Sequence, residues 1–133
     1  MTGTIERVDS ADLDLDEVVE VYRASGLGER RPIGDRVRFA AMLRAANLMV
    51  ACREGGRLIG IARSVSDFSY VTYLSDLAVT GDRQRLGIGR ALIAATRREA
   101  PLAKIVLLSA PAAVEYYPHI GFTRHDSAWV LAP

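Results

Sequence analysis

The clearest chemical signal in the chain is the run Gln84-Arg85-Leu86-Gly87-Ile88-Gly89-Arg90. It follows a β-rich stretch ending at Val79 and a polar turn, Thr80-Gly-Asp-Arg83, and it leads into a helical pattern through Ala91, Leu92, Ala95 and Glu99 that Pro101 stops. The first turn of a helix leaves N–H groups unpaired, and its aligned peptide dipoles concentrate partial positive charge there. Such an end attracts phosphate. Glycine at 87 and 89 removes side chains that would hold a diphosphate away, while Arg83, Arg85 and Arg90 supply neutralising charge. Two glycines at a helix start also serve as a turn and a tight packing point, so spacing alone leaves both readings open. The common nucleotide motifs are absent: Leu92 stands where Gly-x-Gly-x-x-Gly needs its third glycine, and no Gly-x-x-x-x-Gly-Lys-Ser/Thr occurs.

Other residues that could do chemistry lie on either side of this run. Asp76 is a carboxylate in the strand before it, and Tyr116 and Tyr117 form a pair beyond it that is either a core contact or a source of a phenolic proton. His119 reads as an exposed loop histidine. Cys52, the single cysteine, reads as a small core residue, since nothing near it in sequence lowers a thiol pKa.

The positioning elements follow from periodicity. Thr4 to Val8 reads as a short strand, and Asp12 or Asp14 caps a helix whose stripe is Leu15, Val18, Val19 and Tyr22, ending before Gly26. A second helix is expected from about Asp35, with Val37, Ala40, Ala41 and Leu43 inward and Asn47 ending it. Leu48–Cys52 and Leu58–Ala62 flank Glu54-Gly-Gly-Arg57, which is hairpin chemistry. In Tyr70–Val79, alternation puts Val71, Tyr73, Ser75, Leu77 and Val79 on one face and Thr72, Leu74, Asp76 and Ala78 on the other. Ile105–Leu108 is a continuous apolar run expected to be covered on both faces, and Ser109 is expected to cap a short helix through Tyr116 or Tyr117. Gly121-Phe122 then opens a last strand pair that includes Trp129–Leu131. The order β, α, α, three β, α, β, α, β, with a further β completing the last pair, describes one domain over residues 1–133, a mixed α/β sheet with helices on its faces.

Composition narrows the function. Half the 133 residues are hydrophobic and 25% are charged, which excludes disorder as the default. A net charge of +1 argues against a nucleic-acid binder, and no apolar run approaches a membrane span, so a cytoplasmic protein with neither partner is expected. One cysteine and two histidines offer no metal-site spacing, so no metal is expected. Charge is uneven: residues 1–29 hold eight acids against Arg7 and Arg23, while residues 81–98 hold five arginines against Asp82.

Gln84-x-x-Gly87-x-Gly89 resembles the Arg/Gln-x-x-Gly-x-Gly/Ala signature of the GNAT superfamily of acyl-CoA-dependent N-acyltransferases. Asp76-Leu-Ala-Val79 looks like that family's fourth strand, and Tyr117-Pro-His-Ile-Gly121-Phe122 like its C-terminal Tyr-x-x-x-Gly-Phe element. The resemblance implies a mostly antiparallel sheet splayed between its fourth and fifth strands, with helices on both faces. It implies that Gln84, Arg85, Leu86, Gly87, Ile88, Gly89 and Arg90 hold the diphosphate of acetyl-CoA through their N–H groups. Leu77, Ala78 and Val79 would then meet the pantetheine arm with strand backbone. The implied reaction is direct attack of a small-molecule or peptide amine on the acyl carbonyl, with Tyr117 as general acid to the departing thiolate; the ordinary tyrosine pKa of about 10 keeps it protonated.

Many members of the family carry a glutamate just before the position of Asp76, where this chain has Ser75. A serine cannot be the base. Asp76 is the nearest carboxylate and the candidate base, although alternation turns it away from Ser75 toward a structural pairing with an arginine. The other arrangement is a water held by Tyr73 and Ser75. The missing glutamate also keeps open a second function, a CoA-binding regulatory module without turnover. The acids of residues 1–29 point to a cationic acceptor such as a polyamine, aminoglycoside or arylalkylamine. Oligomeric state is open, with a homodimer among the expected states.

Overall fold

The computed structural model of the protein describes residues 3–133. Its elements are β1 (Thr4–Val8), α1 (Leu15–Ser25), α2 (Arg36–Ala45), β2 (Leu48–Glu54), β3 (Arg57–Ser66), β4 (Val71–Val79), α3 (Ile88–Glu99), β5 (Lys104–Val106) and α4 (Tyr116–His119). Each boundary has a local cause. Asp14 caps α1 by accepting from the N–H of Asp16 at 2.9 Å, and Asp35 caps α2 by accepting from Arg38 N–H at 3.1 Å. Gly55 and Gly56, at φ +58° and +81°, make the two-residue turn between β2 and β3. Asn47 lies just past α2 and exchanges two hydrogen bonds with the backbone of Ser66, tying the helix end to the end of β3.

The strands form one five-stranded sheet in chain order, antiparallel except for the parallel pair β4 and β5. On one face α1 and α2 bury Val18, Val21, Tyr22, Phe39 and Leu43 against Met49, Ile61 and Ala78. On the other, α3 buries Ile88, Leu92 and Ile93 against Val50, Ile59, Ala62 and Leu74. Helices thus cover both faces. Apolar burial of this kind supplies most of the driving force for folding. Among the described residues no helix is long and apolar enough to cross a membrane.

Four expectations are corrected. The inward stripe of α2 is Phe39, Met42 and Leu43, which share one helical face, with Ala46 packed just past its end, whereas Val37 lies two positions from Phe39 and is 82% exposed. The run after α3 gives only a three-residue strand, and Val106 and Leu108 are exposed, so this is an edge strand covered on one side. In place of one helix from Ser109 there are a 3-10 turn over Pro111–Ala113 and the single turn of α4, and beyond it no strand forms among the described residues. The polar stretch Thr123 to Ser127 offers no alternating apolar face, and Trp129 and Leu131 are 91% and 98% exposed.

Candidate active site

A β-bulge shapes the centre of β4. Arg63 of β3 lies opposite Asp76 and Ser64 opposite Leu74, so Ser75 is the extra residue. The bulge breaks the expected alternation. Leu74 packs with Leu77 and Val79 on the α3 side, and Asp76 and Ala78 face α1 and α2. Tyr73, next to Leu74, therefore turns to the α1 and α2 side, where it is 39% exposed.

Asp76 is buried and receives four donors. Tyr22 Oη donates to Oδ2 at 2.6 Å and Arg63 Nε to the same oxygen, while Arg31 Nε donates to Oδ1 at 2.6 Å and Ser75 Oγ at 3.0 Å. Burial pushes this carboxyl upward, but the hydrogen bonds and charge of Arg63, aided by Tyr22 and Arg31, outweigh it and hold the pKa below the ordinary aspartate value. The Tyr22 hydroxyl is pushed well above 10 by burial and by the adjacent Asp76 charge, so it stays a donor. Arg31 continues past Asp76 and donates through Nη2 to the carbonyl of Ser75 at 2.8 Å. It thereby ties the loop between α1 and α2 to the bulge.

The other side of β4 is open. Its pairing with β5 stops at Tyr73 and Val106, where β5 ends, and no strand pairs with this edge of β4 beyond that point among the described residues. Thr80 N–H donates to Ile59 O of β3 at 2.9 Å, so by alternation Ala78 also faces β3 while Leu77 and Val79 turn their peptide groups toward the gap. The Val79 carbonyl there is taken by Gln84 Nε2 at 2.9 Å. A cavity of about 100 Å3 lies in the gap, lined by Ser75, Leu77, Leu107, Arg30, Arg31 and Tyr117 among others. Tyr117 packs edge-on against Phe122 and Tyr116 at 5.4 and 5.3 Å, and burial together with Tyr116 raises its pKa.

The loop Gln84–Arg90 borders the same gap. Arg85 and Gly87 have φ of +65° and +87°. Gly87 precedes α3, and no side chain caps that helix, in contrast to α1 and α2. Ile88 is buried in the core, Leu86 is 57% exposed, and Gly89 faces the cleft: a Cβ there would lie 3.6 Å from Tyr116 Oη and 3.7 Å from Leu77. Arg83 is committed to Glu54 at 2.9 Å, whereas Arg85 and Arg90 are exposed and form no ion pair among the described residues.

Residues 32–130 match the family model described as acetyltransferase (GNAT) domain. The chain belongs to the GNAT acetyltransferase family. The fold is similar to a GNAT-family acetyltransferase from Streptococcus pneumoniae TIGR4, at 21% identity over 98% of this chain and 99% of that one, with a TM-score of 0.74. A probable acetyltransferase from Staphylococcus aureus shares 17% identity over 98% of both chains at a TM-score of 0.76. An aminoglycoside N-acetyltransferase, AAC(6')-Iy, solved with CoA, shares 15% identity over 98% of this chain and 94% of that one, at 0.73. No curated protein sequence matches.

Within this GNAT domain, the structure brings Tyr117, Ser75 and Leu77 to one cavity and sends Asp76 behind the strand. Of the tyrosine pair, Tyr117 is the more buried ring, and Tyr116 is 39% exposed with its hydroxyl toward Gly89. Sequence reasoning places Tyr22 in the apolar stripe of α1 and expects Asp76 to pair with an arginine, but it does not find the hydroxyl contact of Tyr22 or name Arg30, Arg31 and Arg63. Arg63 had a usable signal, since a charge inside an apolar strand facing a buried aspartate calls for a pair; the loop arginines had none. Cys52 is buried, and His119 is exposed. Of the N-terminal acids, Asp14 is a cap and Asp16, Glu17 and Glu20 pair with Arg36, Arg53 and Arg23. None lines the cavity. A wider depression of about 480 Å3, beside Arg7, Arg44 and Asn47, holds none of the motif residues, and Arg7 there already pairs with Glu99 at 3.4 Å.

Proposed function

We propose that the protein is an acetyl-CoA-dependent N-acetyltransferase that acts on a small-molecule or peptide amine in the cavity beside Tyr117. The observation carrying this reading is the coincidence of an uncapped helix N-terminus with an unpaired strand edge across one gap. The residues present fit the co-substrate. The N–H groups at the start of α3 lack a side-chain acceptor, and Gly89 leaves the cleft wall low. Arg85 and Arg90 are free to neutralise a diphosphate. The peptide groups of Leu77, and the Val79 N–H, offer strand-like partners to an amide-bearing arm; the Val79 carbonyl is shared with Gln84.

When bound, the acyl-thioester supplies an electrophilic carbonyl and a thiolate leaving group. A β4 N–H directed into the gap stabilises negative charge on the carbonyl oxygen. Tyr117, kept protonated by its raised pKa, donates its phenolic proton as the C–S bond breaks and the N–C bond forms. The acceptor ammonium first gives one proton to water near Ser75, the neutral amine then attacks, and the second proton, released as the amide forms, restores the Tyr117 phenol. Asp76 is assigned to positioning, because its oxygens are filled by four donors and its pKa is lowered, which makes it a poor proton acceptor.

The test is calorimetry with CoA followed by amine-dependent release of free thiol from acetyl-CoA. Binding with turnover across an amine panel is expected. CoA binding without amine-dependent turnover would favour the regulatory-module reading that Ser75 in place of glutamate keeps alive, and no CoA binding removes both.

A further inference from the structure

The charges around the acceptor cavity are one-sided. Its charged lining consists of Arg30 and Arg31, with no carboxylate among the lining residues. Arg31 is spent on structure: Nε goes to Asp76, Nη2 to the Ser75 carbonyl and Nη1 to the Arg30 carbonyl at 2.9 Å. Its charge is only partly offset, because Asp76 also serves Arg63. Arg30 is different. It is exposed at the cavity wall, and its guanidinium makes no hydrogen bond or ion pair among the described residues.

A planar guanidinium with its donors free matches a carboxylate in two-point geometry and repels a second cation. The geometry points to an acceptor that carries a carboxylate near its amine, an amino-acid-type molecule, with Arg30 as the residue that selects it. This rests on the acetyltransferase reading above and reverses the expectation drawn from the acidic N-terminal segment, whose carboxylates lie elsewhere. A polyamine entering the cavity meets the unpaired Arg30 and the partly offset Arg31, with no carboxylate among the lining residues. An amino acid presents its carboxylate to Arg30, and its nitrogen stays on the side of Ser75 and Tyr117.

The experiment compares glycine, leucine and glutamate with their amides, and with spermidine, using the intact protein. The panel is read by thiol release from acetyl-CoA and, separately, by calorimetric binding to the CoA-loaded protein. The carboxylate members should be favoured by about 10- to 100-fold in kcat/KM and in affinity, as for a charged hydrogen-bonding pair. Arg30→Gln should bring each pair to near parity with CoA affinity unchanged, and Arg30→Lys should retain part of the preference. Equal or better use of the amides or spermidine overturns the inference, as does a preference that survives Arg30→Gln or a CoA-loaded protein that binds no amino acid. Those results leave the acetyltransferase reading standing, provided amides or spermidine turn over; absence of CoA binding defeats that reading itself.

Discussion

The two sides of β4 treat polar groups in opposite ways. Toward α1 and α2, Asp76, Arg63, Arg31, Tyr22 and Ser75 satisfy one another in a closed network. Toward the gap, Leu77 leaves its peptide groups unpaired and α3 begins without a side-chain cap among the described residues. Buried polar groups ordinarily find partners, so the closed side reads as scaffold and the open side as a surface completed by a ligand. The bulge at Ser75 marks the boundary between them, and beyond it regular alternation puts Asp76 and Leu77 on opposite faces.

Breaking the closed side should have the largest effect. Asp76→Ala leaves the buried Arg63 and half-buried Arg31 without a counter-charge, a defect that costs about 3–5 kcal/mol when one partner of a buried pair is removed. Denaturant unfolding should show it directly, and a midpoint within error of the parent would contradict the network. The pH dependence has a definite sign. The folded Asp76 pKa is lowered from an unfolded value of about 3.9, so its stabilisation is complete above that value and is lost as pH falls through the folded pKa. The stability difference between parent and Asp76→Ala should therefore shrink under acid and be constant above about pH 5.

Blocking the open side should spare the fold and remove the ligand. Gly89→Glu meets only ordinary contacts at Cβ, so its melting temperature should stay near the parent's, but a carboxylate at the mouth of α3 repels a diphosphate and itself occupies the positive helix end that would attract it. A loss of about 100-fold in CoA affinity, or about 2.7 kcal/mol, is expected by calorimetry. Smaller still, Tyr117→Phe should lower turnover by about tenfold with CoA affinity unchanged, because its proton is needed only as the thiolate leaves. A fall in CoA affinity with unchanged turnover would return Tyr117 to packing against Phe122.

The closed and open sides were unequally legible in the sequence. The open side was readable because its chemistry is local: a strand, two glycines and a helix start lie within a few residues, and Tyr117 belongs to a short motif. The closed side joins residues 22, 31, 63 and 76 from four segments, and no local period reports such a meeting. The bulge was also invisible, since Val71–Val79 alternates well enough to pass for a regular strand, and it decided which way Tyr73 and Leu74 point. Short elements failed for a related reason. Residues after Val106 have too little alternating apolar pattern to choose a face, and the expected final strands did not form.

The two glycines that first marked the open side should differ from each other, and the difference is small enough to need careful measurement. Gly87 has φ +87° with nothing within 4 Å of where a Cβ would stand, so Gly87→Ala meets no clash and only the cost of a left-handed backbone, about 1 kcal/mol. Gly89 sits inside the first turn of α3 with ordinary backbone and a Cβ contact no closer than 3.6 Å. Gly89→Ala should therefore stabilise the helix by up to about 1 kcal/mol through the lower entropy cost of alanine. Urea unfolding of the two alanine variants should move in opposite directions from the parent. If both destabilise, the start of α3 is packed more tightly than these contacts allow, and the open character assigned to that side of β4 would have to come from the strand edge alone.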